Sequence, residues 1–396
     1  MLNSKVHALL GKVLNPTLNA NPGDIGRIPL PEVKVISTQI PAIVALSEKD
    51  WNSYENSWDF ASSPLLHPDY RQPALKETYN QLRARWRDTT LEMQRLEQEN
   101  NRIFIDAYGL QDELTSDVPL KEITLTCNPH YRYGNNKTEA ELEALLLADT
   151  LREFISYSVG CMFGRYSLDR PGLVLANQGE TLADYLRQVP EPRFMPDDDN
   201  VIPLLDGEWF SDDITERFHA FLRVTFGDAQ YAQNLQFIET ALGEKDKPKD
   251  IRKYFLKDFY NDHVKRYKKR PIYWLFSSPK GTFNALIYLH RTQSDTVSVV
   301  LQYLRDFCIK LAARRTYLEQ VSIDPGAGQV EKTRALKEID ALKKQLLELD
   351  DYQRDTLYPL ASAQIALDLD DGVKVNYLKF GAALKKITGL DAKDEE

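Results

Sequence analysis

The chain has 396 residues and a formal charge of −9, with 42% hydrophobic and 28% charged residues. That balance suits a soluble protein with room for two or three cores, and no apolar run reaches the length of a membrane span. Three separated cysteines (Cys127, Cys161, Cys308) form neither a disulfide framework nor a zinc pattern, and no signal peptide follows Met1, which points to the cytoplasm.

Val6, Leu9, Leu10, Val13 and Leu14 mark an opening amphipathic helix. Turns at Asn15-Pro16 and Pro22-Gly23-Asp24 lead to a short proline-flanked strand. Nothing here builds a core alone, so residues 1–45 read as the end of a larger domain. Trp51, Trp58 and Phe60 are expected packing anchors. A long helix follows from Leu75 to about Ile103. Its Tyr79, Leu82, Trp86, Thr89, Met93, Leu96, Asn100 and Ile103 recur at alternating spacings of three and four, a heptad seam. Residues 46–110 thus read as a linker and helical spacer.

Glu139 to about Arg165 is an apolar helix of a core, in which Gly160 and Gly164 mark close packing. Residues 170–213, rich in Pro, Gly and Asp, read as loops with short strands. Helix resumes at Ile214 and, after a break near Gly243–Lys249, runs into a basic block. Pro271–Phe276 and Phe283–Leu289, joined by Ser277-Ser-Pro-Lys-Gly281, predict a β-hairpin. Two helices around Asp324–Gly328, carrying Val297 to Leu318 and Ala335 to Leu349, predict an antiparallel αα-hairpin. The expected class is α+β, predominantly helical. Its parts are a mixed C-terminal domain over 111–296 with the β-hairpin, the αα-hairpin and C-terminal segment over 297–390, and a disordered tail at 391–396.

The basic block stands out against an acidic body. Residues 251–315 hold 14 Lys+Arg against 4 Asp+Glu, a formal +10, so the rest of the chain carries −19. Segregation of sign on this scale favours phosphate docking at one face. Lys265, Arg266, Lys268, Lys269, Arg270 and Lys280 are the candidate phosphate contacts. Tyr273 and Asn284 are candidates to reach base edges. The competing reading is a solvated helix C-terminus whose cations complement the dipole, with Tyr273, Trp274 and Phe276 in a core.

Other chemistry is thin. Asn128-Pro129-His130-Tyr131 approaches the N-P-P-[YF] loop of amino-group methyltransferases, but His130 stands at the second proline and no Gly-rich cofactor turn precedes it. A structural loop is the favoured reading. Asp197-Asp198-Asp199-Asn200 lacks the calcium-loop pattern and reads as a solvated acidic turn. No Walker, G-x-S-x-G or H-E-x-x-H motif occurs, and no histidines pair at metal spacing. No catalytic, cofactor-binding or metal residue is assigned.

Several strings resemble a known family. LNSKV, LNPTLN and GDIGRIPLP look like the end of a target-recognition domain in large adenine-specific DNA methyltransferases. WNSYENSWDF (51–60), NRIFIDAYGLQDEL (101–114), residues 269–290 and DDGVKVNYLKFGAALKKI (370–387) are similar to the C-terminal part of the PglX family. These are methyltransferases of BREX bacteriophage-defence systems, with related strings in single-chain restriction–modification enzymes. The resemblance implies S-adenosylmethionine and catalytic motifs in a methyltransferase portion before residue 1. It also implies double-stranded DNA and other defence-complex proteins as partners. The expected role is DNA holding and target recognition. The alternative is a protein–protein adaptor that never touches DNA.

Overall fold

The computed structural model describes residues 4–15, 22–29, 39–134, 136–244 and 247–390. The proline-flanked strand beyond Pro29 and the tail at 391–396 lie outside these residues. Internal contacts divide the chain into two compact units, 1–150 and 151–396. The protein is 61% helical with one small antiparallel sheet, the α+β class expected.

The first unit is built on the helix Leu75–Tyr108, whose 34 residues extend about 50 Å at 1.5 Å per residue. It stops because Gly109 adopts φ 67° and its N–H, like that of Leu110, turns back to the last carbonyls. The opening helix, Lys5–Leu14, lays Val6 against Phe104 and Ile105. Arg83 holds Glu143 through two hydrogen bonds of 2.8 and 2.6 Å. Of the three expected anchors only Phe60 is buried. Trp58 is 92% exposed and Trp51, at the end of the helix Gln39–Trp51, is 63% exposed.

In the second unit, strand β1 (Val201–Pro203) lies on one edge of β3 (Asn284–Tyr288), and β2 (Tyr273–Ser277) lies on the other. The register pairs Tyr273 with Tyr288 and Ser277 with Asn284, so β2 and β3 are the expected hairpin. Every residue of all three strands is buried, which is why the runs are apolar on both faces. The helix Glu139–Met162 carries Gly160 against the sheet's neighbours. A Cβ there would meet the Tyr166 ring at 2.4 Å, so only glycine fits. The segment expected as loops also forms a short helix, Leu182–Gln188, set by a Thr181/Asp184 capping box. The helices Thr296–Ile323 and Gln329–Tyr352 pack as the antiparallel hairpin.

Candidate nucleic-acid interface

The basic block closes the helical run 251–266, which is α-helical at both ends and π-helical over Phe255–Phe259. The helix stops through Lys268 and Lys269, both left-handed at φ 50° and 63°. Side chains rarely adopt that conformation, at a cost of roughly 1–2 kcal/mol each. Backbone bonds from Lys268 N to Lys265 O (3.0 Å) and from Lys269 N to Val264 O (2.8 Å) hold the turn. Beneath it, His263 Nε2 accepts from the backbone nitrogens of Ile272 and Tyr273 at 3.2 and 3.1 Å. Burial, with Arg266 and Arg165 nearby, pushes the His263 imidazole well below its ordinary value. A neutral ring is what those two acceptor bonds require.

Lys265, Lys268, Lys269 and Arg270 are exposed. Among the described residues, no carboxylate lies within ion-pair distance of any of them. Arg266 is half-buried and engaged with its surroundings. Lys280 is exposed on the hairpin turn, apart from the block in the fold as in the sequence, and its backbone nitrogen donates to Glu348 Oε1 at 2.7 Å.

The two candidates for base edges lie inside. Tyr273 is fully buried, stacked between Phe163 and His263 at centroid distances of 5.3 and 4.7 Å. Asn284 is 7% exposed and its Nδ2 donates to Gly281 O at 2.9 Å, closing the turn. Trp274 and Phe276 are also core, both edge-on to Phe380. The alternating aromatic run therefore serves packing, and the cations remain as the surface chemistry.

Sequence reasoning missed one contributor. The free edge of β2 is taken by the C-terminal segment: Leu384 bridges Phe276, and Lys385 N donates to Leu275 O at 2.8 Å. Farther along, a Cβ built on Gly389 would lie 3.2 Å from Lys269 Nζ. The exposed Lys385 and Lys386 thus flank the strand that leaves the basic turn. No periodicity links residues so distant in the chain, so nothing in the sequence pointed to this.

The acidic triplet is solvated only in part, with Asp198 exposed and Asp199 half-buried. Asp197 is 2% exposed, and the three carboxylates lie within 4.8 Å of one another. Burial pushes the Asp197 carboxyl up to about 7, with Arg217 opposing from 3.6 Å. Arg291 donates to the carbonyls of Asp197 and Asp198 at 2.7 and 3.0 Å. Two guanidiniums already occupy the surroundings a cation would need, so the triplet is a structural lock.

No protein-family model matches the chain. Two curated relatives do. It is 37% identical to the adenine-specific methyltransferase BrxX of Escherichia coli O9:H4 (strain HS), over 98% of this chain and 33% of that protein. It is 35% identical to the adenine-specific methyltransferase PglX of Lacticaseibacillus casei (strain Zhang), over 98% of this chain and 31% of that protein. The chain matches the PglX/BrxX family over nearly its whole length. It spans about a third of the length of these relatives.

The glycine-rich turn sought in the sequence for S-adenosylmethionine is not found among the described residues. Among the described residues no strand leads through a glycine-rich turn into a helix: the stretch from β1 to the helix Ile214–Phe226 holds the single glycine Gly207, β2 turns into β3, and β3 runs into the short turn Leu289–Arg291. Nor does Asn128 offer a base-amine acceptor. It is fully buried; Oδ1 accepts from His130 N at 3.2 Å, and Nδ2 donates to Leu120 O and Ile123 O at 2.7 and 2.9 Å. The tetrapeptide caps a single helical turn, Pro129–Arg132, which is the structural loop expected.

Proposed function

We propose that this chain grips and positions DNA as the C-terminal, target-recognition portion of a PglX-type adenine-specific methyltransferase in phage defence. S-adenosylmethionine and the methyl-transfer residues belong, on this reading, to the part of the longer relatives outside the matched third. Partner proteins of a BREX defence complex would dock elsewhere on the acidic body. The observation that carries the proposal is the turn bearing Lys265, Lys268, Lys269 and Arg270. Four exposed cations lack carboxylate partners among the described residues, in a chain that is otherwise strongly acidic. Such cations contact phosphates, which fix position and register without reading bases.

The test is binding of a short fluorescent DNA duplex across a salt series. The expected result is steep weakening with salt, with a slope smaller by about 3 to 4 after reversing all four cations to Glu. Binding that ignores both salt and charge reversal would reject DNA holding and leave the adaptor reading.

A further inference from the structure

Arg165, in the second unit, is a guanidinium held by two phenols. It follows the helix Glu139–Met162 and is half-buried. Its Nε donates to Tyr166 Oη at 3.2 Å and its Nη1 to Tyr288 Oη at 3.1 Å. The guanidinium also lies 5.3 Å from the Tyr166 ring centroid and 6.0 Å from that of Tyr288. Among the described residues, Nη2 has no hydrogen-bond partner and no carboxylate lies within ion-pair distance.

A partly buried charge without a counter-charge is costly, and folds normally supply the partner. Here the nearby groups do not. His290, whose ring is 4.9 Å from Tyr288, is pushed down to about 4 by burial and by Arg165, so it is neutral near pH 7. Glu180 is committed to the backbone nitrogens of Ala176 and Asn177 at 2.7 and 2.8 Å. The phenols meanwhile fix the guanidinium in place: Tyr288 Oη donates onward to Leu175 O at 2.8 Å. A pre-oriented guanidinium with a spare donor arm is the geometry that recognises phosphate oxygens.

The position connects with the basic turn. Tyr288 pairs with Tyr273 across the sheet, their rings 5.5 Å apart. Tyr273 stacks on His263, whose ring lies 4.8 Å from Tyr267, the residue before Lys268. The geometry points to Arg165 as a phosphate-binding residue, anchoring a phosphate group on a guanidinium held by Tyr166 and Tyr288. Only the source of that phosphate, a DNA backbone or a free phosphate compound, rests on the DNA-holding proposal.

The experiment uses the full chain with Arg165→Met, Arg165→Lys and Tyr288→Phe, each checked for native circular dichroism. In the first arm, thermal stability is compared in sodium phosphate and in sodium chloride at matched ionic strength. The wild type should melt higher in phosphate, and Arg165→Met should lose that difference. Tyr288→Phe keeps the charge and removes one anchor, so it should shrink the difference even if Arg165→Met fails to fold. In the second arm, duplex binding is followed across salt. A DNA source predicts several-fold weaker binding for Arg165→Met and a slope smaller by about 1, with Arg165→Lys intermediate. A phosphate effect in the first arm with unchanged DNA binding assigns the site to a free phosphate compound. Equal behaviour of wild type and folded variants in both arms overturns the inference, whereas loss of DNA binding on reversing the four turn cations alone would leave the DNA grip standing without Arg165.

Discussion

Glu348 reaches from the second arm of the αα-hairpin to the tip of the β-hairpin, where its Oε1 accepts from the backbone nitrogen of Lys280 at 2.7 Å. The same carboxylate accepts from the Thr282 hydroxyl, and the residue is 7% exposed. A turn that offers its own N–H to a buried carboxylate cannot lose that acceptor without leaving a donor unsatisfied. Glu348→Ala should therefore cost about 1–3 kcal/mol, and Glu348→Gln less, since an amide oxygen still accepts. Urea unfolding followed with amide exchange at Lys280 measures both. An unchanged midpoint and unchanged exchange for the alanine variant would show that the contact is dispensable.

The C-terminal segment along β2 makes a separate claim about the surface. If Lys385 belongs to the same cationic face as Lys265, Lys268, Lys269 and Arg270, Lys385→Glu should weaken DNA binding several-fold and lower the salt slope by about 1. An exposed lysine on another element, such as Lys344, serves as the control, and its reversal should have a markedly smaller effect. Equal effects at both positions would mean that net charge, not the face, sets binding.

His263 links the turn to acid sensitivity. Its folded-state value is depressed, so below about pH 6.5 the unfolded chain takes up the proton more readily than the folded one. The stability His263 contributes is thus present above pH 6.5 and is lost as pH falls toward its depressed folded value. Asp197, raised to about 7, acts in the opposite sense over an overlapping range, so the wild-type curve alone is ambiguous. The informative quantity is the gap between wild type and His263→Gln, whose amide oxygen can accept one of the two backbone bonds but does not titrate. That gap should narrow between pH 7.5 and pH 5. A constant gap would mean that His263 takes up its proton alike in the folded and unfolded chains, so that its folded value is not depressed.

The β-hairpin was legible because two apolar runs around a Pro/Gly turn admit few other folds, and the αα-hairpin because its period is long and regular. The third strand was not. Val201–Pro203 is three residues in a loop-rich stretch, and its pairing with β3 depends on contacts some 80 residues away. For the aromatics, composition alone separated nothing: Trp51 and Trp58 look like Phe60 in sequence, yet only Phe60 meets a neighbour that covers it. The cations of the turn were legible as charge. What the sequence hid was that Asn284 is consumed by its own turn, that Tyr273 is stacked away, and that Lys385 joins the same strand. The first is a side-chain bond inside the turn, and the other two are contacts with residues distant in the chain, neither of which local pattern carries.

The long helix shows how a correct period still yields a wrong residue. Read as heptads, its seam places Thr89, Asn100 and Ile103 inside. The structure keeps Tyr79, Leu82, Trp86, Met93 and Leu96 but buries Thr90, Asn101 and Phe104 instead. A straight helix turns every 3.6 residues, so a 3.5-residue seam drifts by about 20° per heptad, and past Leu96 the buried position has slipped by one, to Asn101 and Phe104. Asn101 uses its place: Oδ1 accepts from the backbone nitrogen of Lys5 at 3.0 Å, one of the orphan donors at the start of the opening helix, and Nδ2 donates to Ser116 O at 3.4 Å. Asn101→Ala should cost about 1–2 kcal/mol and expose the opening helix to proteolysis, because Lys5 N loses its acceptor beside the Val6 contact. Asn100→Ala, one residue away and half-buried, should change stability by less than about 0.5 kcal/mol. Limited proteolysis at residues 5–14 alongside urea denaturation distinguishes the two positions, and the reverse ranking would restore the heptad seam.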